Sequence, residues 1–176
     1  MKDAIKKLRE LTGFGIGDCK KALIDSDNDM DKAISLLKEK GAKILEKRAG
    51  KSAKQGIVEA YVHFSQNMGT LVEVNCESDF VARNDDFKRF AKDLSMHIAA
   101  MAPRYVSRED VEAERIADLS EAEKEEFFKK NCLLDQPYVK DNSLIISDYL
   151  KSLASKFKEN IRIRRFVRFS LGHDEN

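Results

Sequence analysis

The stretch Thr70-Leu71-Val72-Glu73-Val74-Asn75-Cys76-Glu77-Ser78-Asp79-Phe80-Val81-Ala82-Arg83-Asn84 contains a change of period on which the fold turns. As far as Cys76 it is rich in β-branched residues and strand-like. Beyond it the apolar residues Phe87, Phe90, Ala91, Leu94, Ile98 and Met101 recur at helical spacing. Asn84 stands where such a helix needs a cap, and Pro103 lies just past its end. At the junction an acid and a large ring are neighbours, Asp79 and Phe80. Such a pair serves either as cap and core filler or as a probe for another protein.

Reading outward from the junction, Ile57 to Phe64 is a second strand-like run. It is separated from Thr70–Cys76 by the turn residues Ser65-Gln66-Asn67-Met68-Gly69, so the two form a β-hairpin. Ser107 and Asp110 have capping-box spacing, and the charged stretch through Lys130 predicts one or two exposed helices. A further helix after Ser147 carries Tyr149, Leu150, Leu153 and Phe157. In Ile161-Arg162-Ile163-Arg164-Arg165-Phe166-Val167-Arg168-Phe169 apolar residues alternate with arginines, which predicts a strand with one buried face. The fold class expected is α+β: an antiparallel sheet of at least three strands with helices on one side, spanning residues 56–172 and followed by a tail, 173–176.

The first forty residues read as a separate unit. Ile5, Leu8 and Leu11 make one apolar stripe, Ile16, Cys19, Ala22 and Leu23 a second, and Met30, Ala33, Ile34 and Leu37 a third. Gly13-Phe14-Gly15 and Asp25-Ser26-Asp27-Asn28 are turns, and Asp29 is an N-cap. Gly41 occupies the position of a helix C-terminus. Three short helices at 1–40 must therefore hold each other by packing. Residues 41–55, with Lys43, Lys47, Arg48, Lys51 and Lys54, read as a basic, partly helical linker.

Composition excludes several classes of function. Hydrophobic residues make up 42% and charged residues 36% of the 176 positions, and the net charge of +1 gives no global attraction for nucleic acid. No apolar run reaches the ~20 residues of a membrane helix, and the amino terminus lacks a secretory layout. Cys19, Cys76 and Cys132 are far apart and odd in number, as in a reduced cytoplasmic protein. No metal or cofactor motif is present: Gly13-Phe14-Gly15-Ile16-Gly17 lacks the strand a dinucleotide loop follows. His63, His97 and His173 have no cysteine or serine at a spacing that implies a shared catalytic site. A binding protein is expected rather than an enzyme. One alternative is an RNA-binding module using Arg162, Arg164 and Arg165 of the last strand.

Four segments carry a resemblance. They are Leu8-Arg9-Glu10-Leu11-Thr12-Gly13-Phe14-Gly15-Ile16-Gly17-Asp18-Cys19-Lys20-Lys21-Ala22-Leu23, Val72 to Asn84, Leu134-Asp135-Gln136-Pro137-Tyr138-Val139-Lys140-Asp141, and Glu159-Asn160-Ile161-Arg162-Ile163-Arg164-Arg165-Phe166. In this order they resemble bacterial translation elongation factor Ts, in its short form. The resemblance implies a ubiquitin-associated-like three-helix domain, a linker and an α+β core. It also implies guanine nucleotide exchange on the GTPase elongation factor Tu, with no cofactor, in the cytoplasm. Asp79 and Phe80 would be a wedge entering near the magnesium of bound GDP, with Ser78 and Val81 beside them, and Arg9 and Ile16 would grip another helix of the GTPase domain. Ser78 replaces the family's usual threonine. Gly17 stands where the family has an apolar contact, and Lys158 where it has glycine. Short members pair two chains, so a homodimer is expected, with Ile161, Ile163, Phe166 and Phe169 on a strand that needs cover on a face or edge; Cys132 could crosslink such a pair, but in a reducing cytosol non-covalent packing must suffice.

Overall fold

The structure, a computed structural model, describes residues 1–172; the expected tail, with His173, lies outside the described residues. Its helices and antiparallel sheets make the α+β fold expected. Helices α1 (Lys2–Thr12), α2 (Ile16–Asp25) and α3 (Met30–Arg48) come first. Gly13, at φ 71, ends α1 by donating its N–H to the Arg9 carbonyl. The Asp29 side chain caps α3 by accepting the Lys32 N–H at 3.0 Å. The three helices bury Leu8, Phe14, Cys19, Ala22, Leu23, Ala33 and Leu37 against each other. Leu11, expected in this centre, is exposed.

One expectation fails here. Helix α3 does not stop at Gly41 but runs through it to Arg48, because Gly41 is a packing residue and not a cap. Its backbone presses on Lys151 and on the Phe14 ring, an approach that only a residue without a side chain permits. Residues 41–48 of the expected linker are thus continuous helix.

Strands β1 (Gln55–Val62) and β2 (Met68–Cys76) form the expected hairpin. Helices α4 (Asp79–Arg83) and α5 (Asp85–Met101) follow, the latter capped by Asn84, which accepts the Asp86 N–H at 2.9 Å. Single 3-10 turns at Arg108–Asp110 and Ala113–Arg115 precede α6 (Glu121–Asn131), and a third lies at Leu133–Asp135. The capping box of Ser107 and Asp110 is present, though it opens a 3-10 turn. A small hairpin of β3 (Pro137–Tyr138) and β4 (Asp141–Ile145) leads into α7 (Ile146–Phe157) and the last strand β5 (Arg162–Ser170). The main sheet has the order β1-β2-β5, antiparallel throughout. Its inner face packs Val72, Val74 and Ile163 on Phe87, Phe90, Leu94 and Ile98 of α5 and on Leu150 and Leu153 of α7.

The last strand departs from simple alternation. Val74 pairs with Ile163 but Glu73 pairs with Arg165, so Arg164 is an extra residue, a β-bulge. One extra residue exchanges the two faces. Ile161 and Ile163 are buried and Phe166 packs against the same core, whereas Phe169 lies across from Gly69 and is 60% exposed. The apolar residues of this strand therefore do not share one face as expected.

Candidate functional site

The Asp79-Phe80 corner is built by four local devices. Strand β2 ends at Cys76 in register with Gln55, so the next two backbone N–H groups leave the ladder without strand partners. Both are taken by one oxygen of Glu159: Glu77 N–H and Ser78 N–H each donate to Oε2 at 3.1 Å. Ser78 is the N-cap of α4, its Oγ accepting the Val81 N–H at 3.4 Å while donating to Glu159 Oε1 at 2.5 Å. Val81 and Ala82 turn inward and anchor the short helix in the core. The remaining positions must point outward.

Phe80 is 82% exposed. Burying a ring of this size is worth about 1.5–3 kcal/mol, which the free chain forgoes at a corner too well braced to fold the ring inward. Asp79 is half-exposed and pairs with Arg83 at 3.0 Å. Val81, expected among the partner-facing residues, is only 7% exposed and serves as the anchor. Ser78 is half-buried, its hydroxyl committed to the cap.

The bracing reaches further. Glu77 accepts the Asn160 N–H at 2.5 Å and pairs with Arg48, the last residue of α3, at 3.2 Å. Asn160 Nδ2 donates to the Lys51 carbonyl at 2.8 Å. Glu159 and Asn160 follow Lys158, which ends α7 in the left-handed region at φ 56. That is where glycine was expected from the resemblance. The charge of Glu159 is felt locally: burial first, and then this carboxylate, push the Cys76 thiol up to about 11.

The second group of expected contacts lies on the three-helix unit. Arg9 is exposed in the last turn of α1, and Ile16, the first residue of α2, is 60% exposed. Beside it a Cβ added to Gly17 would meet nothing within 4 Å, so packing does not demand glycine there. Arg9 and Gly13 line a cleft of about 240 Å³ with Asp86 and Arg89 of α5 and Lys156 of α7. Asp86 lies three residues past the end of α4.

The remaining candidates disperse. His97 is buried, its Nε2 facing Gln136 Oε1 at 2.9 Å and its Nδ1 accepting the Val139 N–H at 3.2 Å. Gln136 in turn donates to the Lys130 carbonyl, so the segment from Leu134 to Asp141 locks the core. His63 sits beside Ser65 at the hairpin turn. Cys132 is fully buried, its thiol pushed up to about 11 chiefly by burial, which leaves it out of reach of a crosslink between chains. Arg164 and Arg165 both approach Glu73, whose one carboxylate offsets one of their two charges, and Arg168 donates to the Ala99 carbonyl. Among the described residues no helix is long and apolar enough to cross a membrane.

The outer face of the main sheet is bare. Val58, Val62 (68% exposed) and Leu71 line it with Phe169, and Val167, paired with Leu71, lies among them. Sequence periodicity placed different residues there because it could not count the bulge at Arg164.

Fold and site together define an α+β protein that presents an exposed aromatic on a braced strand-to-helix corner beside a three-helix unit. The family model for elongation factor Ts matches residues 15–127 and 121–173. The chain is similar to elongation factor Ts of Thermotoga neapolitana, with 46% identity covering 98% of this chain and 97% of that protein. It is equally similar, at 46%, to the elongation factor Ts of Thermotoga maritima, covering 97% of this chain and 95% of that one. The match to that of Carboxydothermus hydrogenoformans is again 46%, over 96% of this chain and 87% of the relative. The chain belongs to the elongation factor Ts family.

Proposed function

We propose that the protein is a translation elongation factor that binds elongation factor Tu·GDP and promotes GDP release. The observation that carries this reading is Phe80, a ring 82% exposed on a corner whose Glu77 and Ser78 N–H groups are held by Glu159 and whose Val81 and Ala82 are buried. GDP is held in such a GTPase by phosphate-loop contacts and by Mg²⁺, a cluster that weakens when its parts are displaced. Phe80, with Asp79 beside it, enters between helices near the magnesium, and burial of the ring stabilises the displaced arrangement by about 1.5–3 kcal/mol. No covalent chemistry and no cofactor of its own are involved. By reciprocity, what favours the empty GTPase over the loaded one also lets incoming nucleotide weaken the complex.

In this reading residues 1–40 are the docking handle, with Arg9 and Ile16 on the GTPase and Gly17 contributing no side chain. Residues 41–55 join it to the core at 56–172. Two chains pair through the bare outer face of the main sheet, each offering its own Asp79-Phe80 corner. The protein acts in the cytoplasm and needs no nucleic acid. The test is release of fluorescent GDP from a bacterial elongation factor Tu. Release accelerated in proportion to added protein supports the reading; an unchanged rate at micromolar protein, with the chain folded, refutes it.

A further inference from the structure

We propose that Glu159 is a positioning residue for the Asp79-Phe80 corner, setting the pose of a wedge that it does not itself touch. The inference rests on the exchange reading above and adds the part of the chain that aims the wedge. Glu159 is remote in sequence from Phe80, yet its carboxylate takes up both N–H groups freed at the end of β2 and the Ser78 hydroxyl as well. The Ser78 proton is thereby committed to Glu159 Oε1, which leaves an Oγ lone pair for the Val81 N–H. The relay runs from Glu159 through Ser78 to the first turn of α4, and Phe80 lies inside that turn.

The clamp is reciprocal. Glu77 returns across the same junction to accept the Asn160 N–H and to pair with Arg48. Asn160 also holds the Lys51 carbonyl, so the end of α3 is fixed to the same knot. A wedge pushing into a partner transmits force only if its root does not yield. A root free to rotate would bind equally well in unproductive poses. These bonds go to the corner and its surroundings, whereas the core beneath is held by apolar packing of Val81, Ala82, Phe87 and Ile161. Loss of the carboxylate is therefore expected to loosen the aim more than the fold.

Three variants of the full chain decide the matter. Glu159→Ala removes the acceptors, Glu159→Asp withdraws them by one methylene while keeping the charge, and Glu159→Gln keeps one oxygen in place. Amide hydrogen exchange is measured on the free proteins, and GDP release from elongation factor Tu is measured against protein concentration. For the Ala and Asp variants the Glu77 and Ser78 amides are expected to exchange faster while α5 stays protected. Their saturating release rate is expected to fall about tenfold or more, with Gln restoring most of it. A folded Ala or Asp variant with the wild-type saturating rate, or with an unchanged Ser78 amide, overturns the inference. So does failure of both to fold, which would make Glu159 a support of the core. Wild-type protein that releases no GDP overturns the exchange reading and this inference with it; normal wild-type release with unaffected variants overturns the inference alone.

Discussion

Gly41 of α3 lies so close to Lys151 of α7 that a Cβ built on it would stand 2.9 Å from the Lys151 Cβ and 3.2 Å from the Phe14 ring. The salt bridge of Lys38 with Asp148, at 2.8 Å, runs between the same two helices. This seam seats the three-helix unit on the core. Glycine inside a helix costs about 0.5–1 kcal/mol relative to alanine, so its presence here reflects the close approach. Gly41→Val is expected to prise the helices apart and lower stability by about 1–3 kcal/mol. A urea midpoint that falls at unchanged slope would show it; an unchanged or raised midpoint would mean the seam is looser than described.

Lys158 ends α7 at φ 56, where a side chain other than glycine pays about 1–2 kcal/mol. Lys158→Gly removes that strain but adds freedom to the unfolded chain. The net expectation is a gain of about 0.5–1 kcal/mol, seen as a higher melting temperature. Lys158→Ala keeps the strain and is expected to change little. Equal effects of the two substitutions would count against the left-handed cap.

His97 makes stability depend on pH. Burial lowers its pKa from the ordinary 6.5, only partly opposed by Gln136. Protonating Nδ1 would cost it the Val139 N–H, so the folded chain resists a proton that the unfolded chain accepts. The unfolded state then binds more protons, and stability is expected to fall as pH drops from about 6.5. Asp148 acts in a lower window. Burial would raise its carboxyl, but Lys38 and Lys151 outweigh that and hold it below the ordinary 3.8. Its contribution is present above that value and is lost only as pH falls further. Denaturant titrations at pH 7.5, 5.5 and 2.5 separate the two, and a flat stability between 7.5 and 5.5 would exclude the His97 effect.

The bare outer face of the sheet carries the proposed pairing of two chains. Phe169→Asp puts a charge among Val62, Leu71 and Val167 without touching the inner core. Light scattering under reducing conditions is expected to give a dimer mass for the wild type and a monomer mass for the variant. A monomeric wild type at micromolar concentration, with GDP release intact, would remove the dimer from the account.

Much of this could be read before the structure because period and punctuation are local properties. Asn84, Asp29 and Ser107 cap where their side chains permit, and the switch from period two to helical spacing marks the Asp79-Phe80 corner. What escaped depends on partners distant in the chain. Gly41 reads equally well as a helix end or as a close contact until α7 is placed against it. The bulge at Arg164 turns half of β5 over, and no composition signal marks it. Glu159 reaches Ser78 across 81 residues, and the one hint was Lys158, a left-handed residue where glycine was expected. Val81 follows the exposed Phe80, but a helix turns only about 100° per residue, and the seating of α4 on the core is what shows Val81 and Ala82 facing inward together.

Phe80→Ala tests the central claim most directly. The ring is exposed in the free chain, so its removal leaves no cavity, and the melting temperature is expected to stay within a degree or two, since surface changes of this kind are worth about ±0.5 kcal/mol. GDP release from elongation factor Tu is measured by stopped flow at saturating protein, for wild type and variant side by side. The account predicts that the variant folds normally and loses most of the acceleration, about tenfold or more for a ring worth at least 1.4 kcal/mol. A folded Phe80→Ala protein that releases GDP at the wild-type saturating rate would contradict it.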